Sequence, residues 1–189
     1  LDTALRVAAD LRDTPQSVGV VSAQLIRDQA MQSMADVLRY VPGATIGQGE
    51  GHRDAPSLRG NASTADFFVD GVRDDVQYYR DLYNTERVEV LLGPNAMVFG
   101  RGGGGGVINR VTRVADGRRH VGLSLEGGAF DHRRIVGDLG ASVSGPVSAR
   151  VNLLHERSGS YRDFVNLERW GVNPSLTYQG QGGLAVTLS

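Results

Sequence analysis

The feature that most constrains this chain is a change of pattern near Asp116-Gly117. Beyond it, apolar residues recur at every second position. Val121, Leu123 and Leu125 alternate with Gly122, Ser124 and Glu126. Ile135, Gly137, Leu139, Ala141 and Val143 alternate with Val136, Asp138, Gly140 and Ser142. Val147, Ala149, Val151 and Leu153 alternate with Ser148, Arg150, Asn152 and Leu154, and Trp170, Val172, Leu176 and Tyr178 with Gly171, Asn173, Ser175 and Thr177. Leu184, Val186 and Leu188 close the series. A period of two puts successive side chains on opposite faces of a strand. Strands of about 9–11 residues with one apolar and one polar face build the wall of a transmembrane β-barrel. A soluble antiparallel sheet with one buried face uses the same alternation, and the pattern alone does not separate the two. Gly145-Pro146 and Gln179–Gly182 read as tight turns, and Arg157–Leu167 as a longer polar loop with Tyr161 and Phe164. Short turns at one end and longer loops at the other are the outer-membrane arrangement, and Trp170 and Tyr178 stand where its aromatic girdles sit.

From Leu1 to Asp116 short strands mix with short helices. Ser17–Val21 is an extended apolar run after Pro15. Ser22 is placed to cap a helix through Arg27 with Leu25 and Ile26 inward. Ser33 is placed to cap a second, Met34–Tyr40, with Asp36 completing an approximate capping box. Met34, Val37, Leu38 and Val41 have helical spacing, and Pro42-Gly43 ends it. Strands are expected at Ala44–Ile46, Ser57–Arg59, Phe67–Val69 with a turn at Asp70-Gly71 and resumption at Val72, Arg87–Leu92 and Val107–Thr112. Asn95–Phe99 reads as a helical turn. Loops are expected at Gln48–Asp54 and Asp74–Asn84. The expected fold is therefore an α+β domain over residues 1–116, followed over 117–189 by about five antiparallel strands.

Composition narrows the function. Basic and acidic side chains number 20 and 21, which gives no reason to expect nucleic acid as a partner. Every basic residue is arginine, so a polybasic membrane patch is not expected. The chain has no cysteine, which excludes disulfides, thiolate zinc sites and a thiol nucleophile. Glycines 102–106 are followed by Val107 and Ile108 rather than by the lysine and hydroxyl residue of a phosphate loop, so they are read as sites of close backbone approach. Asp70, Asp74 and Asp75 lack the ligand order of a calcium loop, and His52, His120, His132 and His155 are not spaced as metal pairs. No nucleophile motif is present, so no enzyme is expected, and no cofactor or resident metal.

A series of short motifs then stands in order: Asp13-Thr14-Pro15-Gln16-Ser17-Val18, Leu38-Arg39-Tyr40-Val41-Pro42-Gly43, Leu58-Arg59-Gly60 and Phe68-Val69-Asp70-Gly71-Val72-Arg73-Asp74. It continues with Tyr83-Asn84-Thr85-Glu86-Arg87-Val88-Glu89-Val90-Leu91, Gly93-Pro94, Phe99-Gly100-Arg101-Gly102 and Gly106-Val107-Ile108-Asn109-Arg110-Val111-Thr112. Across nearly the whole first half the chain resembles the plug domain of TonB-dependent siderophore receptors. Residues 131–189 resemble, less specifically, the opening strands of their barrel. Leu92 departs from a frequent lysine. The resemblance implies an incomplete outer-membrane β-barrel, since five strands fall well short of the roughly 22 of a plugged transporter. The chain is accordingly expected to be an N-terminal fragment or truncated reading frame, with the TonB box before Thr14 and no signal peptide visible.

The resemblance implies a transporter of the bacterial outer membrane that binds a ferric siderophore and is driven by TonB with its inner-membrane energising complex. Iron enters only as cargo. Tyr79, Tyr78, Arg80, Arg53 and His52 are the expected substrate-facing residues of the plug apex. Aromatics give contact area with a polar tip, and arginine gives charge-assisted hydrogen bonds. For Tyr78, packing against the barrel wall is an equal alternative. Arg59 and Arg87 are expected to latch the plug to barrel glutamates, the alternative being a salt bridge inside the plug to Glu86 or Glu89. Two other functions stay open: a soluble periplasmic binding or signalling module that keeps the plug alone, and the same transporter with cobalamin, heme or a glycan as cargo.

Overall fold

A computed structural model describes residues 17–47, 49, 51–64, 66–93, 99 and 104–189. The expected helical turn at 95–99 and the motifs at 13–16, at Pro94 and across 100–103 lie wholly or mostly outside these residues. The chain divides into two units, Leu1–Thr112 and Arg113–Ser189.

In the first unit, strand β1 (Ser17–Ser22) leads directly into helix α1 (Ala23–Asp28). The Ser22 hydroxyl accepts the Leu25 N–H at 3.2 Å, satisfying one of the donors a helix start leaves unpaired. Helix α2 (Met34–Leu38) opens on a full capping box. The Ser33 hydroxyl accepts from the Asp36 N–H, and the Asp36 carboxylate accepts the Ser33 N–H at 3.1 Å. The helix is shorter than its spacing predicts. Tyr40 and Val41 donate to Val37 and Leu38, three residues back, so the last turn tightens before Pro42. Met34, Val37 and Leu38 share one core with Val21, Phe67, Val88, Val90 and Ile108.

That core covers a five-stranded sheet of order β1-β7-β8-β5-β6. Its strands are β5 (Phe67–Val69), β6 (Val72–Arg73), β7 (Thr85–Leu92) and β8 (Gly106–Thr112) with β1. Only β5 and β8 run parallel. Asp70 and Gly71 turn β5 into β6 with φ of 50° and 79°, the two left-handed residues a tight hairpin requires. A smaller sheet joins β2 (Ala44–Gly47), β3 (Ala55–Leu58) and β4 (Asn61–Ala62). Arg59 was expected inside a strand. It instead leaves β3 at φ 51°, and its N–H donates to the Gly43 carbonyl at 2.8 Å. The glycine run is used for close approach, as its composition implied. A Cβ on Gly105 would stand 2.2 Å from the Leu58 carbonyl oxygen, and one on Gly106 2.3 Å from that of Leu91.

The second unit is a meander of order β13-β12-β11-β10-β9. Its strands are β9 (His120–Gly127), β10 (Arg133–Ser144), β11 (Val147–Ser158), β12 (Leu167–Gln179) and β13 (Ala185–Leu188). The central three, at 12, 12 and 13 residues, exceed the expected length. Register puts Leu123, Gly137, Leu153 and Val172 in one cross-strand row, and Gly122, Asp138, Asn152 and Asn173 in the next. Burial across these rows is inverted relative to a soluble sheet. The apolar face is open, with Leu123 71% and Trp170 78% exposed. The polar face is closed over the central strands, with Arg134 3%, Asn152 0% and Glu156 3% exposed. A sheet packed on a soluble core would hide the leucines and expose the charges; a wall with lipid outside and a filled lumen does the reverse.

Replacing Gly105 by alanine would force a Cβ onto the Leu58 backbone. The expected cost is about 1–3 kcal/mol, read as a lower midpoint of thermal unfolding. An unchanged midpoint would show that the loop yields freely.

Candidate functional site

The polar residues of the first unit converge on the irregular segment between β6 and β7. Arg80 is only 1% exposed, because the segment folds over it. Its guanidinium lies 3.8 Å from the Phe67 ring centroid and 4.3 Å from that of Tyr78, a cation held over two aromatic rings. Its edge is hydrogen-bonded throughout. Nε donates to Asp74 Oδ2 at 3.1 Å, Nη1 to the Tyr78 carbonyl at 3.1 Å, and Nη2 to the carbonyls of Asp74 at 2.8 Å and Val76 at 2.7 Å. The Arg80 backbone N–H donates to Asp54 Oδ2 at 2.9 Å. Thus one side chain satisfies backbone acceptors that a loop without regular structure would otherwise bury unpaired.

Asp74 is the centre of this arrangement. Its Oδ2 accepts from Arg80, from the Tyr78 hydroxyl at 2.7 Å and from Arg110 Nη2 at 2.7 Å. Arg110, on β8, also donates to the Tyr78 hydroxyl. Burial pushes the Tyr78 phenol above its ordinary value, so it stays protonated and donates at neutral pH. Burial likewise raises the Asp54 carboxyl, against the opposing pull of its Arg80 hydrogen bond and of the Arg80 and Arg110 charges.

A second pairing lies deeper in the sheet. Glu89 is fully buried and accepts from Arg87 Nε at 2.7 Å and from the Asn109 amide at 3.3 Å. Asn109 in turn accepts the Gly71 N–H at 3.0 Å. On the second unit's polar face Asp138 holds Arg150 and Arg113, and Glu156 accepts from both Arg134 and Arg169.

The expected substrate-facing residues therefore fall into three groups. His52 and Tyr78 are exposed. Arg53 and Tyr79 are half-buried and engaged in contacts of their own. Arg80 departs from its expected place on the loop surface: it is the strut inside the loop, with its donors committed to the segment it shapes. Arg87 makes the internal pair with Glu89 that stood as the alternative to a latch. Arg59 is exposed, and among the described residues no ion pair holds it. The links of Asp54 to Arg80, Asp74 to Arg110, Glu89 to Asn109 and Asn109 to Gly71 were not visible in the sequence, since these pairs stand 20 to 38 residues apart along the chain. Asp70 and Asp74, weighed above as cation ligands, are occupied by Thr112 and by the two arginines with Tyr78.

A family model described as the TonB-dependent receptor plug domain matches residues 10–107. The chain is 35% identical over 190 residues to the probable TonB-dependent siderophore receptor PiuA of Acinetobacter baumannii, covering 97% of this chain and 25% of the relative. It is 32% identical over 172 residues to the catecholate siderophore receptor Fiu of Escherichia coli, covering 88% and 23%. The crystal structure of PiuA superposes with a TM-score of 0.84 at 34% identity, over 92% of this chain and 25% of that one. The chain thus spans about a quarter of the length of the relatives it matches.

Two outcomes follow from the charge cluster. Arg80→Ala removes the buried cation beside Asp54 and Asp74 and the donors of three loop carbonyls, although Asp74 keeps Arg110 and Asp54 keeps the backbone N–H of residue 80, with an expected loss of about 3 kcal/mol in unfolding free energy; a loss within error would mean that the cluster is rehydrated at no cost. Because the Asp54 carboxyl is raised, its contribution to stability is full below pH 3.8 and declines as pH rises through the raised value. Asp54→Asn keeps an acceptor for Arg80 and is expected to flatten that decline in unfolding midpoints measured across the acidic range. A slope equal to wild type would assign the decline to another group.

Proposed function

The chain belongs to the TonB-dependent receptor plug-domain family, and we propose that the whole protein imports ferric siderophores across the bacterial outer membrane, with this chain supplying the plug and the first wall strands. The observation that carries the reading is the inverted sheet that follows the plug. Its apolar face is open and its charged face is closed, which suits lipid on one side and a plugged lumen on the other. A plug-only module in the periplasm has no use for such a face. The names of the relatives, a siderophore receptor and a catecholate siderophore receptor, support iron chelates as the cargo class.

On this reading the task is transport and involves no covalent chemistry. The exposed His52 and Tyr78, with the half-buried Arg53 and Tyr79, meet the ferric complex. Arg80 does not reach it; it fixes the shape of the segment that does. Arg59 latches to a wall carboxylate through its exposed guanidinium. Arg87 pairs with Glu89 inside the plug, which supports the internal alternative to a latch for this residue. Ligand binding must favour one plug state over another if TonB and its inner-membrane complex are to act only on loaded receptors.

The test is uptake of labelled ferric hydroxamate, catecholate and mixed siderophores by the source bacterium, intact and with this locus deleted, with and without an uncoupler of the proton-motive force. Loss of energy-dependent uptake of one chelate is expected. Unchanged uptake of all three classes would overturn the siderophore assignment and leave cobalamin, heme or a glycan to be tried in the same format.

A further inference from the structure

The two units meet at Thr112 and Arg113, and each of these residues is fastened within its own unit. Thr112 belongs to the plug sheet. Its N–H and its hydroxyl both donate to the Asp70 carboxylate, at 2.9 and 2.6 Å. Asp70 is itself the first residue of the tight turn between β5 and β6. This fastening is exposed to solvent, and both of its donors are neutral.

The fastening on the other side is of a different kind. Arg150 of β11 grips Asp138 of β10 with both prongs, Nε to Oδ1 at 2.8 Å and Nη2 to Oδ2 at 2.7 Å. Its remaining Nη1 donates to the Val114 carbonyl at 3.2 Å. Arg113 adds a second cation to Asp138 at 3.4 Å. Next along the chain, the buried Ala115 N–H donates to the Ser175 hydroxyl of β12 at 2.9 Å. Asp116 then accepts from the Arg118 N–H and lies 2.8 Å from His120 Nε2 at the start of β9. Arg150, Asp138 and Arg113 are 7%, 16% and 10% exposed, so water screens them little. Both fastenings end on a carboxylate, but Asp138 is met by two cations largely away from water, one of them bidentate, whereas Asp70 is met by neutral donors in solvent, where such bonds are weaker. Under a load passed along the chain, the Asp70–Thr112 side therefore gives way first.

We infer that Asp138 and Arg150 are positioning residues that hold Arg113–Asp116 fixed on the wall strands throughout transport, and that plug movement is taken up on the Asp70–Thr112 side of the junction. The inference rests on the proposed transport role. It assigns a role to charged residues of the wall strands that the proposed substrate-facing set does not include.

The test uses the full-length receptor in the outer membrane; this chain has no cysteine of its own, and any cysteine elsewhere in the receptor is first replaced by serine. One pair, Ala115→Cys with Ser175→Cys, is bridged by a short bis-thiol reagent; a second pair, Asp70→Cys with Thr112→Cys, is bridged in parallel. Energised uptake of the ferric chelate should survive the first bridge and be lost with the second. Loss with the first bridge, or full uptake with the second, overturns the inference. A separate arm follows maleimide labelling of Ala115→Cys alone. Labelling should stay slow during energised transport, and become fast at rest when Asp138→Asn or the milder Arg150→Lys is added. Fast labelling of Ala115→Cys during transport in the otherwise native protein, or slow labelling in both variants at rest, also overturns it. If the receptor carries no chelate at all, the transport reading fails on its own, while labelling at rest still decides whether the tether is held by Asp138 and Arg150.

Discussion

A buried arginine must find a carboxylate, and both units of this protein are organised around meeting that demand. In the first unit Arg80 and Arg110 converge on Asp74, and Arg87 on Glu89. In the second, Arg150 and Arg113 converge on Asp138, and Arg134 and Arg169 on Glu156. Removing one partner from such a group strands a charge away from water, which costs far more than the pair contributes over an apolar substitute. The value of these groups therefore lies in specifying one arrangement. The chain carries its positive charge entirely as arginine, the cation whose planar fork can serve several acceptors in fixed directions.

The wall strands show why such groups are required there. A strand facing lipid on one side must carry its polar residues on the other, and in a filled lumen these are closed off from bulk water. Gly122, Asp138, Asn152 and Asn173 share a row on that side; its central members Asp138 and Asn152 are covered while Gly122 and Asn173 stay exposed, and the charges above and below are paired across strands. The same pairing reaches beyond the sheet. Arg150 also holds the Val114 carbonyl, so the wall's internal electrostatics fix the path by which the chain enters its first strand.

The plug meets a different constraint. Its segment between β6 and β7 has no regular hydrogen bonding, and Arg80 supplies from one side chain the donors that a helix or ladder would supply from the backbone. Shape is thereby separated from contact. A strut inside the loop sets the form of the segment that carries Tyr78 and Tyr79.

Local chemistry was legible in the sequence. The capped helices at Ser22 and Ser33, the Asp70-Gly71 hairpin, the close approach of the glycine run and the wall strands all follow from neighbours a few residues apart, because caps, turns and strand faces are short-range effects. Arg80 and Arg59 show the limit. Arg80 stood in a loop that suggested an outward role, yet it is sealed inside, and Arg59, read as the last residue of a strand, turns out of it at a positive φ. Nothing near Arg80 in the chain announces Phe67 beneath it, nor Asp54 some 26 residues away. The alternation after Asp116 had likewise left two sheets possible. The sequence by itself determined which residues share a face; only the tertiary structure decided which face is closed and which carboxylate each arginine meets, because burial and charge pairing depend on segments that come together in space while lying far apart along the chain.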